Sequence, residues 1–81
     1  MLGYALTAYN ELCPENTNST IYDLTTCKEA AAEFSYPFKR TGHGTDRPKG
    51  CYQLNYGVYF NQHVNGSAHS RARQICKGGG N

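Results

Sequence analysis

Cys51-Tyr52-Gln53-Leu54-Asn55-Tyr56-Gly57-Val58-Tyr59-Phe60-Asn61 is the stretch that decides the fold class. Two runs rich in aromatic and branched side chains flank Asn55-Tyr56-Gly57, and the segment reads as a β-hairpin. Gly57 is the expected position of positive φ. A three-residue loop places Tyr52, Leu54, Val58 and Phe60 on one face. A two-residue loop at Tyr56-Gly57 groups Tyr52, Leu54 and Tyr59 instead. Period-two alternation admits both registers.

Upstream lies a helix signal. Thr26-Cys27-Lys28-Glu29 fits a capping box, with Thr26 as N-cap and Glu29 at the third helical position. Cys27, Ala30, Ala31 and Phe34 follow at i, i+3, i+4 and i+7, an inward stripe whose alanines permit close approach to a sheet. Pro37 stops the helix at or before Tyr36, so it is predicted over 27–35. Residues 37–50 contain Pro37, Gly42, Gly44, Pro48 and Gly50 and are expected as a basic loop.

Asn10 to Thr20 is expected as a polar loop, followed by a short extended piece at Ile21-Tyr22. Beyond the hairpin, 62–71 reads as an exposed loop around Asn65-Gly66, and Arg73-Gln74-Ile75-Cys76 as a closing strand. Gly78-Gly79-Gly80 reads as a flexible tail. The first nine residues alternate with period two, Leu2, Tyr4, Leu6 and Ala8 against Gly3, Ala5, Thr7 and Tyr9, and neither side carries charge. Such a strand needs cover on both faces or a partner edge. The expectation is an α+β domain: an antiparallel sheet of three or four strands with one short helix packed on it. It divides into a strand or arm at 1–12, a module at 13–77 and a tail at 78–81.

With 81 residues, no Trp and one Met, the chain sits near the size at which an apolar core needs reinforcement. Its seven tyrosines supply bulk but need partners for their hydroxyls. Cys13, Cys27, Cys51 and Cys76 are widely spaced and lack the C-x₂-C and C-x₄-C frames of zinc sites. They imply two long-range disulfides and an oxidising compartment, with three pairings open. Sequons at Asn18-Ser19-Thr20 and Asn65-Gly66-Ser67 agree, so an extracellular, secreted or cell-surface glycoprotein carrying N-linked glycans at Asn18 and Asn65 is expected.

Charge is divided along the chain. Residues 1–36 carry Glu11, Glu15, Asp23, Glu29 and Glu33 against Lys28 alone. Residues 37–81 carry Lys39, Arg40, Arg47, Lys49, Arg71, Arg73 and Lys77 against Asp46 alone. That asymmetry suits head-to-tail contact or an anionic partner. Scattered basic residues in an oxidising compartment argue against nucleic acid. No apolar run approaches about 20 residues, so membrane insertion is not expected. Residues 1–9 lack the basic and continuous apolar regions of a signal peptide, which reads as a mature chain or a segment of something longer.

No catalytic constellation emerges. His43, His63 and His69 fall in expected loops without further ligands in a metal frame, and paired cysteines leave no thiol nucleophile. Glu29 and Glu33 are i, i+4 on the helix, one capping and one solvated. Neither metal nor cofactor is expected. Tyr52, Tyr56 and Tyr59, interleaved with Gln53, Asn55 and Asn61, are the candidate ligand-binding residues, because aromatic faces beside amides suit sugars and protein surfaces. Arg47 and Lys49 lie nearby as candidate anion contacts.

Gly50-Cys51-Tyr52, Val58-Tyr59-Phe60-Asn61 and Ile75-Cys76-Lys77, preceded by a helix bearing Cys27 and Ala30-Ala31, resemble a small cysteine-containing module of surface and secreted proteins of unicellular algae and other protists. The resemblance spans roughly residues 13–77. The arrangement is also loosely similar to PAN/apple modules, without their extra cysteines. The resemblance implies an extracellular recognition or structural module with no established chemistry. Consistent with it, the expected pairing is Cys27–Cys51, stapling helix to hairpin, and Cys13–Cys76, closing the ends. In the chain-entropy model these contribute up to about 3.5 and about 4 kcal/mol.

The function expected is a non-catalytic structural or adhesive protein that assembles with itself, as a filament or coat subunit or in tandem copies. Leu2, Tyr4 and Leu6 of the N-terminal strand would insert into a neighbouring sheet. The alternative is a carbohydrate- or protein-binding module that uses the hairpin tyrosines.

Overall fold

A computed structural model describes residues 3–14 and 19–77. The expectations for Leu2, for the Asn18 sequon and for the tail at 78–81 lie outside the described residues. The fold is α+β, with one short helix on a mixed five-stranded sheet. In chain order the elements are β1 (Tyr4–Leu6), α1 (Leu24–Glu33), β2 (Phe38–Gly42), β3 (Gly50–Leu54), β4 (Gly57–Asn61) and β5 (Ala72–Lys77). The sheet order is β1-β5-β3-β4-β2, with β2 parallel to β4 and the other neighbours antiparallel.

The helix begins three residues before the expected one. Asp23, in extended conformation, is the N-cap: its Oδ2 accepts from Thr26 N at 2.8 Å and from Thr26 Oγ1 at 2.7 Å. Thr26 thus lies in the first turn with its hydroxyl turned back to Asp23, so it cannot cap. The helix ends in a Schellman motif. Ser35 at φ 62° donates to Ala32 O, and Tyr36 donates to Ala31 O. Cys27, Ala30 and Ala31 are buried as the stripe predicts, whereas Phe34 closes the helix half-buried.

The hairpin turns on two residues, Asn55-Tyr56, with Leu54 opposite Gly57 and Tyr52 opposite Tyr59. Asn55 adopts the left-handed conformation at φ 57°, which its short polar side chain tolerates. Gly57 is therefore a strand residue rather than the positive-φ position. Its missing Cβ makes room for the Lys39 side chain on β2. This register groups Tyr52, Leu54 and Tyr59 on one face. It turns Cys51, Val58 and Phe60 into the core with Ile21, Ile75 and the helix.

The 37–50 segment is not all loop, since Phe38–Gly42 forms the edge strand β2. Only Phe38 packs inward; Lys39, Arg40 and Thr41 are exposed, and charge along an outer strand discourages further pairing. One buried residue leaves no alternation for the sequence to reveal.

Residues 4–6 complete their own sheet. Tyr4 pairs with Lys77, Ala5 with Cys76 and Leu6 with Ile75. In this chain the strand pairs with its own β5 rather than with a neighbour's edge. Beyond β1, Cys13 is bonded to Cys76 in β5, Cα atoms 5.8 Å apart, which keeps this part of the chain near the same edge. Thr7 reinforces the junction, accepting from Arg73 Nε at 2.7 Å through its carbonyl and from Gln74 N at 3.0 Å through its hydroxyl. Cys27–Cys51 joins helix to sheet with Cα atoms 5.3 Å apart. Both pairings match the expectation. Gln74, fully buried, ties the layers by donating to Lys49 O at 2.7 Å and accepting from Cys13 N.

Candidate functional site

With α1 covering one sheet face, strand alternation sends Tyr52 and Leu54 from β3 and Tyr59 and Asn61 from β4 to the other. β2 adds Arg40 beside Tyr59, its register partner. The segment 43–49 then folds across one end of this face. Together they enclose a cleft of about 260 Å³, lined by Arg40, His43, Asp46, Arg47, Tyr52, Leu54 and Tyr59, with Asn61 at its base.

Asn61 fixes the segment in place. Its Oδ1 accepts from Gly44 N at 3.0 Å and from His63 N at 3.1 Å. Its Nδ2 donates to Gly44 O at 2.8 Å, Pro48 O at 3.1 Å and Arg47 O at 3.2 Å. Asn61 is 3% exposed and its bond to Pro48 O is buried, so losing the amide would leave that carbonyl without a donor away from water. Ser67 braces the same segment from outside, its Oγ donating to Thr45 O at 2.6 Å and its N to Arg47 O at 2.8 Å.

The cleft floor is aromatic. Tyr52 and Tyr59 stack with ring centroids 5.5 Å apart and planes 19° from parallel. Tyr52 is buried and Tyr59 half-buried, so Tyr59 is the ring a ligand meets. Burial pushes the Tyr52 phenol above its ordinary pKa, while the Arg47 and Arg40 guanidiniums pull it back. Both cations line the cleft. Arg47 pairs with Asp46 at 3.0 Å, a partner 79% exposed. Such surface pairs are worth about 0–1 kcal/mol and exchange readily. The Arg40 guanidinium is on an exposed residue and has no hydrogen-bond or ion-pair partner among the described residues.

The three candidate tyrosines do not act together. Tyr56 stands at the hairpin tip, 84% exposed and outside the cleft. Arg47 lines the cleft, whereas Lys49 lines a separate groove of about 250 Å³ with Tyr22, Phe60 and Val64. The histidines are also divided. His43 and His63 meet edge-on, centroids 4.7 Å apart, and His63 Nδ1 accepts from Asn65 N. His69 Nδ1 accepts from Arg71 N. No group of three metal-ligating side chains occurs among the described residues.

Arg40, His43 and Asp46 carry no binding signal in the sequence, and Asn61 is legible there only as an amide beside the tyrosines. Arg40 joins the cleft only because β2 is a strand, and nothing in the primary structure marks Asn61 as the residue that holds the segment. Asn65 is exposed on the 62–71 loop, open to a glycan. Two disulfides, and the absence among the described residues of a helix long and apolar enough to cross a membrane, are compatible with an extracellular protein. Comparison with protein-family models, curated proteins and solved structures finds no match to this chain.

Proposed function

We propose that this chain is a non-catalytic extracellular recognition or adhesion module that binds carbohydrate or a protein surface in the cleft of Arg40, Arg47, Tyr52 and Tyr59. The observation that carries the reading is the Asn61 clamp, which holds the 43–49 segment over the Tyr52–Tyr59 pair and so keeps the cleft wall in place before any ligand arrives. A site formed in advance loses less entropy on binding. The disulfides and the resemblance to protist surface modules support the location, and N-glycans at Asn65 and Asn18 accompany it in a eukaryotic source. The test is a glycan array probed with wild type, Tyr59→Ala and Tyr56→Ala. Binding that disappears with Tyr59→Ala and survives Tyr56→Ala supports the cleft; binding lost only with Tyr56→Ala moves the site to the hairpin tip.

Self-assembly as a filament or coat subunit is the second reading. It no longer draws on a donated N-terminal strand. It rests on the separation of charge across the sheet: Asp23, Glu29 and Glu33 are exposed on the helix side, and Arg40 lies on the opposite face. Heterologous contacts between such faces propagate into a filament unless the rotation closes them into a ring. Light scattering tests it, since growth in mass with concentration that salt suppresses supports assembly, and a monomer throughout rejects it.

A further inference from the structure

We infer that the ligand of this cleft is an acidic sugar, a saccharide unit bearing carboxylate or sulfate. The inference rests on the cleft being the binding surface. Arg40 sits next to Tyr59 across the β2–β4 register, so a cation is placed at the edge of the ring a ligand meets. Arg47 lines the same cleft as the aromatic pair. Against these two cations the cleft holds one carboxylate, Asp46, which offsets Arg47 and leaves Arg40 uncompensated.

Each part of an acidic sugar then has a counterpart. The apolar C–H face of the ring lies on Tyr59, which offers flat area at little entropic cost. The carboxylate or sulfate takes Arg40, whose planar fork matches two acceptor oxygens. Arg47 becomes available as Asp46, mostly in solvent, swings away, and the freed carboxylate accepts from ring hydroxyls. His43 and Thr41 at the rim add polar partners. Volume sets the scale: about 260 Å³ is below the range of about 300–1,000 Å³ typical of drug-sized ligands, so one or two sugar units fit. A protein partner would have to bury roughly 1,000 Å² in total, far more than this small polar recess offers by itself.

The experiment is calorimetric titration of the oxidised protein with an oligogalacturonate, a heparin-derived oligosaccharide and a neutral cello-oligosaccharide of matched length. Either acidic probe is expected to bind at least about tenfold more tightly than the neutral one, and to weaken as salt rises. Arg40→Gln, at an exposed edge position and with circular dichroism as the check of its fold, is expected to lose about tenfold for the acidic probe and nothing for the neutral one. Tyr59→Ala is expected to weaken all binding. Equal affinity for the neutral sugar with no effect of Arg40→Gln overturns the acidic assignment and leaves the cleft reading standing. A single-stranded oligonucleotide that binds more tightly than any saccharide overturns it as well. No saccharide binding by folded wild type overturns both.

Discussion

Asn61 and Gly44 hold each other reciprocally, Gly44 N donating to Asn61 Oδ1 at 3.0 Å while Asn61 Nδ2 donates to Gly44 O at 2.8 Å. This pair fixes the 43–49 segment over the sheet and so shapes the cleft. Asn61→Ala removes the side-chain donor from the carbonyls of Gly44 and Pro48, while Arg47 O keeps the Ser67 amide. It should cost about 1–3 kcal/mol in urea unfolding. Asn61→Asp keeps the acceptor for Gly44 N and His63 N but loses the donor, and should fall on the same side of wild type.

Backbone conformation gives two predictions of opposite sign. Gly50 lies at φ 76°, and a Cβ there would collide with the Ile21 carbonyl. Gly50→Ala should destabilise by more than about 1 kcal/mol in thermal denaturation. Ser35 takes the left-handed position after α1 at φ 62° with an exposed side chain. Ser35→Gly should stabilise by about 0.5–1 kcal/mol, since only glycine occupies that conformation without a steric penalty.

Leu6 separates the two readings of the N-terminal strand. It pairs with Ile75 and packs half-buried against the core. Leu6→Asp should lower the melting temperature and leave the mass in solution unchanged. A stably folded Leu6→Asp monomer beside an assembling wild type would restore strand insertion into a neighbour.

The Asp23 cap predicts an acid-side loss of stability. Hydrogen bonds from the Thr26 hydroxyl and amide hold the Asp23 carboxyl below the ordinary aspartate pKa. The folded state then binds fewer protons here than the unfolded chain. The cap's contribution is complete above the ordinary aspartate value and disappears as pH falls through the lowered one. Asn caps almost as well without titrating. Asp23→Asn should therefore match wild type near neutrality and flatten this part of the acid limb in urea titrations across pH.

What the sequence revealed follows from which signals are local. The stripe Cys27, Ala30, Ala31 is local, and it gave the helix and its inward cysteine. The hairpin was legible for the same reason, but not its turn: Gly57 signals positive φ by type, whereas its glycine answers to Lys39 on another strand. β2 escaped because Phe38 alone packs inward. The choice between its own sheet and a neighbour's for β1 depended on where Cys13 ends up in space. Tyr52 and Tyr59 were visible as candidates, but their separation from Tyr56 depended on register, and Arg40 and Asn61 entered the cleft through β2 and the 43–49 fold. These misses are long-range contacts between residues whose own neighbours in sequence carry no trace of them; the helix start is different, a local choice between Asp23 and Thr26 as cap.

The most direct test is a two-dimensional amide NMR titration of the isotopically labelled, oxidised protein with an acidic oligosaccharide, read against a dilution series without ligand. Shifts confined to Arg40, His43, Asp46, Arg47 and Tyr59, and none on dilution, are expected if the cleft is the working surface. Shifts along Tyr4–Leu6 on dilution, with none in the cleft on adding the saccharide, would contradict it and make the β1 edge the surface through which this protein acts.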